Sequence, residues 1–271
     1  MTERTHLAFH HDSHLSTLQT TITSISPFLT LSEENRLLFK DGKGDSYVII
    51  TQSTIFHPQG GGQPSDEGIM ENEEGSKFSV QMVRMSATTD GEVLHFGSFT
   101  TPAPTQFLPG QEITQKIDLE KRLLYSRYHT AGHVLGAAVR HLVSSSVPNF
   151  DETKASHFPS SAACEFAGLI ESTWKTPIQQ KLDEYIEADM PVEIHWWDEA
   201  DFIANGMERL IPDRAAMGMT KEEKFRVVKI VGAETYPCGG THVDSTNQCG
   251  KTTVKKIARS KGTSRVGYTL G

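Results

Sequence analysis

The sequence predicts an α+β protein: a β-rich N-terminal region that forms a small barrel or sandwich, then a region in which helices pack on a sheet. Three observations support this prediction. Short strand-like segments separated by turns fill the first part, a long amphipathic helix begins at Asp118, and strands and helices are mixed after it. We therefore expect two domains, residues 1–117 and residues 118–271.

The N-terminal region contains short segments rich in β-branched and apolar residues, which is typical of strands. They are Ser46–Thr51, Lys77–Met85 and Glu92–Phe99. Clusters of turn-forming residues lie between or after them, at 41–44, 60–62 and 101–104. Short strands joined by turns in this way predict a small barrel or a sandwich.

The region after Asp118 begins with a helix, because apolar residues recur at alternating steps of four and three up to Leu142. This core stripe consists of Leu124, Tyr128, Ala131, Leu135, Ala138 and Leu142. A second helix is predicted over Thr176–Asp189, and strands are predicted over Val192–Trp197 and Arg226–Val231. Helices packed on a sheet are the expected arrangement.

Composition narrows the class of protein. No run of about 18 apolar residues occurs, so we expect no membrane span. The N-terminus lacks the apolar core of a secretory signal, which favours a cytoplasmic location. The three cysteines do not suggest a disulfide framework. A formal net charge of −8 argues against a protein that coats nucleic acid by bulk attraction, although it leaves room for a local basic patch.

A histidine pair lies within the predicted first helix. His129 and His133 are four residues apart, so both rings project from one face and can meet a single ion. In a chain with 12 histidines, such a pair alone is weak evidence, because two surface histidines also produce it.

A second pair strengthens the interpretation. Cys238 and His242 are separated by a segment with two glycines, which permits a tight turn around an ion. Three imidazoles and one thiolate form a donor set that Zn²⁺ prefers in tetrahedral geometry. The alternative is that Cys238 is a small buried apolar residue in a simple turn. Together the two pairs predict one zinc ion.

Two glycines interrupt the same helix, although each costs roughly 1 kcal/mol relative to alanine. We consider two explanations for Gly132 and Gly136. In the first, they let the cysteine loop or a substrate approach the helix backbone. In the second, they allow close packing of the helix on a sheet.

Three motifs now form a recognisable series: Phe56–Gly68 (FHPQGGGQPSDEG), His129–His133 (HTAGH) and Cys238–Val243 (CGGTHV). In this order they resemble the editing domain of alanyl-tRNA synthetase and the freestanding alanyl-tRNA editing proteins of the longer type, called AlaX. With its flanks, the resemblance covers nearly the whole chain.

The resemblance implies a small β-barrel domain followed by an α/β two-layer sandwich that carries the zinc. It also implies a hydrolase that acts in trans on mischarged tRNA(Ala), chiefly Ser-tRNA(Ala), with Gly-tRNA(Ala) as a second candidate. A chain of 271 residues has no room for the synthetase's other domains, so we expect editing without charging. We expect a monomer that binds neither DNA nor membranes. The segment around Ser156 and His157 resembles a strand that presents polar residues to the substrate.

Thr130 and Gln63 are the candidate catalytic side chains. The Thr130 hydroxyl would face the seryl side chain or a water, or bond back to a helix carbonyl instead. The glycine-rich loop would approach the ribose or the zinc pocket. Its candidate substrate-binding residues are Gly60, Gly61, Gly62 and Asp66. Because catalysis requires an exchangeable position on zinc, we expect one ligand, His242 or His129, to coordinate weakly.

The segment from residue 251 to residue 265 contains no acidic side chain, which makes it the candidate surface for the tRNA acceptor end. The candidate contacts are Lys255, Lys256, Arg259, Lys261 and Arg265. A solvated basic face is the ordinary alternative.

Two other functions remain open. The chain is a zinc hydrolase of a different small ester, or a non-catalytic tRNA-binding module with structural zinc. No glutamate follows His129 in the manner of zinc proteases, but an activated ester needs less acid–base assistance than an amide.

Overall fold

The computed structural model describes residues 4–100 and 107–271. The chain divides into two units. The first comprises Met1–Gly60, Pro64–Arg122 and Arg214–Met219, and the second comprises Gly61–Gln63, Leu123–Asp213 and Thr220–Gly271. The predicted turn at 101–104 lies outside the described residues, and the predicted domain boundary after residue 117 stays a prediction.

The first unit consists mainly of strands. They are β1 (His6–Leu7), β2 (Thr17–Pro27), β3 (Tyr47–Thr51), β4 (Ser53–Thr54), β5 (Gly68–Glu71), β6 (Lys77–Met85), β7 (Val93–Phe99) and β8 (Glu112–Ile117), with a short helix α1 (Glu33–Arg36). Six of them close into a barrel in the order β2–β3–β7–β6–β5–β8. This confirms the barrel and excludes the sandwich for this unit.

Apolar side chains from alternate strand positions fill the barrel core, among them Ile22, Ile49, Met70, Phe78 and Ile113. Two polar side chains are buried there as well, and the protein satisfies both. His95 places Nε2 2.7 Å from Thr54 Oγ1 and Nδ1 2.9 Å from the Ile49 carbonyl. Gln115 accepts the Ile55 N–H and donates to Thr51 Oγ1.

The second unit combines helices and strands. Its elements are α2 (Leu119–Val143, whose first turn belongs to the first unit), β9 (Asp151–Ser156), β10 (Ala163–Ala167), α3 (Lys175–Glu187), β11 (Val192–Trp197), α4 (Glu199–Ala204), β12 (Phe225–Ile230), β13 (Glu234–Pro237), β14 (Thr252–Ser260) and β15 (Thr263–Leu270). The strands form two sheets, ordered β14–β15–β10–β9 and β11–β12–β13. The α+β class is thereby confirmed.

Helix α2 is the central element of the second unit. Most of the predicted stripe lies in the core with α3 and the strand residues Phe166, Val266 and Tyr268. Leu124 is an exception, because it is exposed. The face that carries the histidines is also buried, with His129 only 2% exposed. The helix therefore packs on both faces along its middle, whereas the periodicity predicted one core face.

No helix in the described ranges is both long and apolar enough to cross a membrane.

Candidate metal centre

Helix α2 presents His129 and His133 on one face, as their spacing predicted. The two rings stack with centroids 4.9 Å apart and planes 12° from parallel. The ring of Tyr236 in β13 also lies close to His133, with centroids 4.4 Å apart. Tyr236 comes two residues before Cys238, so one strand supports a candidate ligand and leads into the loop that carries two more.

The loop after β13 brings Cys238 and His242 to the helix. The Cys238 N–H donates to the Arg226 carbonyl, and Arg226 returns a bond from its guanidinium to the Cys238 carbonyl. These bonds fix the start of the loop on β12. A Cβ at Gly240 would clash with the ring of His129, so the loop can pass this close only with glycine there.

The four predicted ligands meet at one point. One donor atom from each of His129, His133, Cys238 and His242 lies within 4.8 Å of the others. Cys238 Sγ lies 3.5 Å from His129 Nε2 and 3.4 Å from His242 Nε2. The arrangement can hold a metal ion, and it brings together residues more than a hundred positions apart in the sequence.

A buried atom without a partner supports this fit. His133 Nε2 is fully enclosed and accepts or donates no hydrogen bond within the described residues. Burial of an unpaired polar atom is costly, so such atoms need an explanation. An ion held by the four donors would supply the missing partner.

Gln63 hydrogen-bonds to the ring nitrogen of His129 that faces away from Cys238. Its Oε1 lies 2.6 Å from His129 Nδ1 and accepts the Thr241 N–H at 3.0 Å, while its Nε2 donates to the Thr241 hydroxyl at 2.8 Å. Because the backbone N–H of Thr241 can only donate, Oε1 is the acceptor, and His129 Nδ1 must donate to it. The lone pair of His129 is then on Nε2, which faces the cluster.

Thr130 forms a hydrogen bond with another candidate ligand, His242. Its hydroxyl oxygen lies 3.1 Å from His242 Nδ1 and accepts the Val243 N–H at 3.2 Å. Thr130 and Gln63 are both 0% exposed. Both side chains hydrogen-bond to candidate ligands, and their catalytic role stays a prediction.

Burial sets the protonation of the cluster. It lowers the pKa of His133 to about 4, which favours the neutral imidazole that metal binding requires. It raises the pKa of the Cys238 thiol, against smaller opposing effects from the Gly240 N–H and the Arg226 guanidinium. A divalent cation reverses such an effect, because a coordinating thiol loses its proton.

The glycine-rich motif contributes to the second unit through three residues, Gly61–Gln63. Gly62 has φ +78°, and a Cβ there would clash with the Ala155 carbonyl of β9. Its own carbonyl accepts the His157 N–H at 2.8 Å. Gly62 thus allows two backbones to touch, whereas Gly60 and Gly61 are exposed.

Asp66 was predicted to contact the substrate, and that role stays a prediction. It belongs to the first unit and is 1% exposed. Its carboxylate accepts the His57 N–H at 2.6 Å and the guanidinium of Arg122. These bonds link the carboxylate to two other residues of the first unit.

The glycines of α2 serve the sheet and not the cysteine loop. A Cβ at Gly132 would clash with the ring of His157. A Cβ at Gly136 would lie 2.9 Å from the Glu152 carboxylate on β9. These contacts support the second explanation, close packing of the helix on a sheet, and substrate approach stays a prediction. The glycine that admits the cysteine loop is Gly240, on the loop itself.

The predicted basic residues all lie exposed on the hairpin of β14 and β15: Lys255, Lys256, Arg259, Lys261 and Arg265. Arg259 lies 2.5 Å from Glu171, and Arg265 lies 3.6 Å from Glu165. Within the described part of the chain, the three lysines form no ion pair. The free positive charge on this hairpin is therefore smaller than the sequence suggests.

Sequence reasoning left the surroundings of the ligands incomplete. It assigned no definite role to His157, whose ring stacks on His129 with centroids 4.3 Å apart. It also missed Tyr236 and Ser126. The Ser126 hydroxyl lies 2.7 Å from Thr241 Oγ1. The position of Tyr236, two residues before Cys238 on a strand, is the one signal that could have indicated it.

One family model matches part of the second unit. Residues 225–266 match the model of the family described as the threonyl and alanyl tRNA synthetase second additional domain. This segment includes Cys238 and His242. It excludes α2, so the match covers half of the candidate ligand set.

Longer similarities point to particular proteins. The chain is 29% identical over 233 residues to the alanyl-tRNA editing protein AlaX-L of Pyrococcus horikoshii, covering 84% of this chain and 52% of that protein. It is 28% identical over 238 residues to the alanine–tRNA ligase of Methanosphaera stadtmanae, covering 84% of this chain and 25% of the ligase. It is 28% identical over 224 residues to the alanine–tRNA ligase of Acetivibrio thermocellus, covering 82% of this chain and 24% of that ligase. These findings confirm the resemblance predicted from the motifs. The chain spans about half the length of AlaX-L and a quarter of the ligases.

Proposed function

We propose that this chain is a zinc-dependent hydrolase that deacylates mischarged tRNA(Ala) in trans. The observation that carries the proposal is the meeting of His129, His133, Cys238 and His242 within 4.8 Å. The similarity to AlaX-L, which is an alanyl-tRNA editing protein, supports the choice of substrate. Ser-tRNA(Ala) is the main candidate substrate, and Gly-tRNA(Ala) is the second.

Zinc is the proposed ion, because three neutral imidazoles and one thiolate are the donors it prefers. When bound, it would polarise the ester carbonyl and increase the acidity of water. The protein's own part is to fix the donors. Gln63 and Thr130 hold the Nδ1 atoms of His129 and His242, so that both Nε2 atoms face the centre.

The exposed lysines Lys255, Lys256 and Lys261 are the proposed contacts for phosphates near the acceptor end of the tRNA. Such contacts supply affinity and little sequence discrimination. Arg259 and Arg265 would first have to leave their acidic neighbours. We further propose a monomer that acts in the cytoplasm, where its substrate is used.

Deacylation assays test the proposal directly. The zinc-loaded protein is incubated with Ser-tRNA(Ala), Gly-tRNA(Ala) and Ala-tRNA(Ala), and release of the amino acid is followed. We expect loss of serine or glycine, survival of alanine, and no activity in Cys238→Ala. Cys249→Ala is the matched control, because Cys249 is buried outside the cluster and its loss should leave activity intact.

The same assay distinguishes the alternatives. Hydrolysis of free amino acid esters with no preference for tRNA would favour a general zinc esterase. Binding of tRNA(Ala) without any deacylation would favour a binding module with structural zinc. Either result would overturn the proposal.

A further inference from the structure

His157 is a buried imidazole beside the candidate metal centre that the ligand set does not use. It follows β9, and its ring centroid lies 4.3 Å from that of His129 and 6.1 Å from that of His133. Its position next to two candidate ligands raises the question of what its free ring nitrogen does.

The hydrogen bonds around His157 determine which nitrogen carries the proton. The Tyr268 hydroxyl donates to the Tyr128 carbonyl at 2.8 Å, because a carbonyl can only accept. A phenol has a single proton, so the same oxygen must act as an acceptor toward His157 Nδ1, 2.8 Å away. Nδ1 therefore carries the hydrogen, and in the neutral ring Nε2 carries the lone pair.

The ring cannot easily turn to exchange these roles. The His157 N–H is bonded to the Gly62 carbonyl at 2.8 Å. Gly62 and Gly132 lie against the ring, and a Cβ at Gly62 would come within 3.2 Å of Cδ2. Nε2 thus has a fixed direction, and in the described part of the chain no group bonds to it.

Two other acceptors beside the cluster are already occupied. Gln63 Oε1 accepts from His129 and Thr241, and Thr130 Oγ1 accepts from Val243. The donor atoms of the four candidate ligands would be taken by the ion. His157 Nε2 is a neutral acceptor beside the cluster that no group in the described ranges occupies.

We propose that His157 Nε2 accepts a hydrogen bond from the aminoacyl group of the substrate. The donor is its α-ammonium group or the side-chain hydroxyl of serine. This inference rests on the proposed function and adds a substrate-binding residue to it. His157 would then help to hold the scissile ester at the metal without coordinating the ion.

Two substitutions separate the functions of the two ring nitrogens. In His157→Asn, the side-chain amide reaches the position of Nδ1 and can still donate to Tyr268, but nothing replaces Nε2. In His157→Gln, the longer amide reaches the position of Nε2. We expect kcat/KM to fall about 10- to 100-fold in the asparagine variant, with partial recovery in the glutamine variant. Zinc content should be unchanged in both.

Comparison of substrates identifies the donor. A similar loss with Ser-tRNA(Ala) and Gly-tRNA(Ala) would assign the bond to the α-ammonium group, and a loss with the seryl substrate alone would assign it to the hydroxyl. Wild-type kcat/KM for both substrates in folded, zinc-loaded His157→Asn would overturn the proposal.

Two further measurements keep the inference separate from the proposed function. Long-range ¹H–¹⁵N NMR of the zinc-loaded wild-type protein should show the Nδ1–H tautomer of His157, and the Nε2–H tautomer would overturn the proposal even if the variants do not fold. If the wild type deacylates no tRNA, the proposed function fails. In that case, the affinity for a non-hydrolysable 3′-seryl-amide of adenosine tests the role of His157. Equal affinity in the wild type and His157→Asn would overturn the hydrogen bond to Nε2.

Discussion

His95 in the barrel and His133 in α2 are both buried, and burial lowers the pKa of each to about 4. Their hydrogen bonding differs. Both ring nitrogens of His95 have protein partners, whereas His133 Nε2 has none in the described residues. A perturbed pKa alone would not distinguish a structural histidine from a candidate ligand. The buried ring nitrogen without a hydrogen-bond partner is what distinguishes His133 from His95.

The largest expected effects are those of replacing each of these two histidines with alanine, in separate variants. His133→Ala should weaken zinc binding by roughly 100- to 1,000-fold, one ligand's share of the binding free energy of a four-ligand site. His95→Ala should leave zinc affinity unchanged and reduce the free energy of unfolding by about 1–3 kcal/mol, because Thr54 and Ile49 lose their partner. Chelator competition and urea unfolding measure the two quantities. Equal loss of zinc affinity in both variants would contradict the distinction between His133 as a ligand and His95 as a structural histidine.

The pH dependence of stability should reveal His95. Its pKa is about 4 in the folded protein and about 6.5 in the unfolded chain, so the unfolded chain binds more protons between these values. The contribution of His95 is therefore complete above pH 6.5 and is lost as the pH falls toward 4, by about 3 kcal/mol.

Urea unfolding of metal-free protein from pH 7.5 to 4.5 tests this. His95→Gln should show a shallower decrease than the wild type over that range. Identical slopes would mean that His95 is not held neutral in the folded barrel.

A pair of buried glutamines extends the comparison. Gln63 bonds to the candidate ligand His129, and Gln115 bonds to barrel residues. Gln63→Ala should weaken zinc binding about 10- to 100-fold, as expected when a residue that orients a metal ligand is lost. Gln115→Ala should lower stability by about 1–3 kcal/mol without affecting zinc. Loss of zinc affinity in the Gln115 variant would contradict the assignment.

The smallest expected effect comes from two threonines, each of which contacts a histidine and accepts a backbone N–H. Thr130 does so with His242 and Val243, and Thr54 with His95 and Phe56. Thr130→Val should weaken zinc binding about 3- to 10-fold, the value of one ordinary hydrogen bond. Thr54→Val should cost about 1 kcal/mol of stability only. Isothermal titration measures the zinc affinity of both variants, and thermal unfolding measures their stability.

The sequence predicted the parts of the site that depend on local spacing. The steps of four in His129–His133 and Cys238–His242 place each pair on one helix face or one turn. The structure brings these two pairs together. The interaction of Gln63 with Thr241 spans 178 residues, and no spacing rule reaches that far.

The fold shows the same limit. The strand Lys77–Met85 was predicted with the bounds the structure has, because its apolar residues are dense. The 11-residue strand Thr17–Pro27 was missed, because it is mostly threonine and serine with few apolar residues. The exposure of Leu124 was likewise invisible in a periodicity that it fits.

The three residues Gly61–Gln63 have a consequence for how this protein could be divided or exchanged between genes. They belong to the second unit although the rest of that unit starts at Leu123. A gene segment that encodes only residues 118–271 would omit the backbone partner of His157 and the amide that orients His129. The unit that carries the candidate metal centre is thus not encoded by one uninterrupted stretch of sequence, and recombination that separates residues 61–63 from α2 would transfer it incomplete.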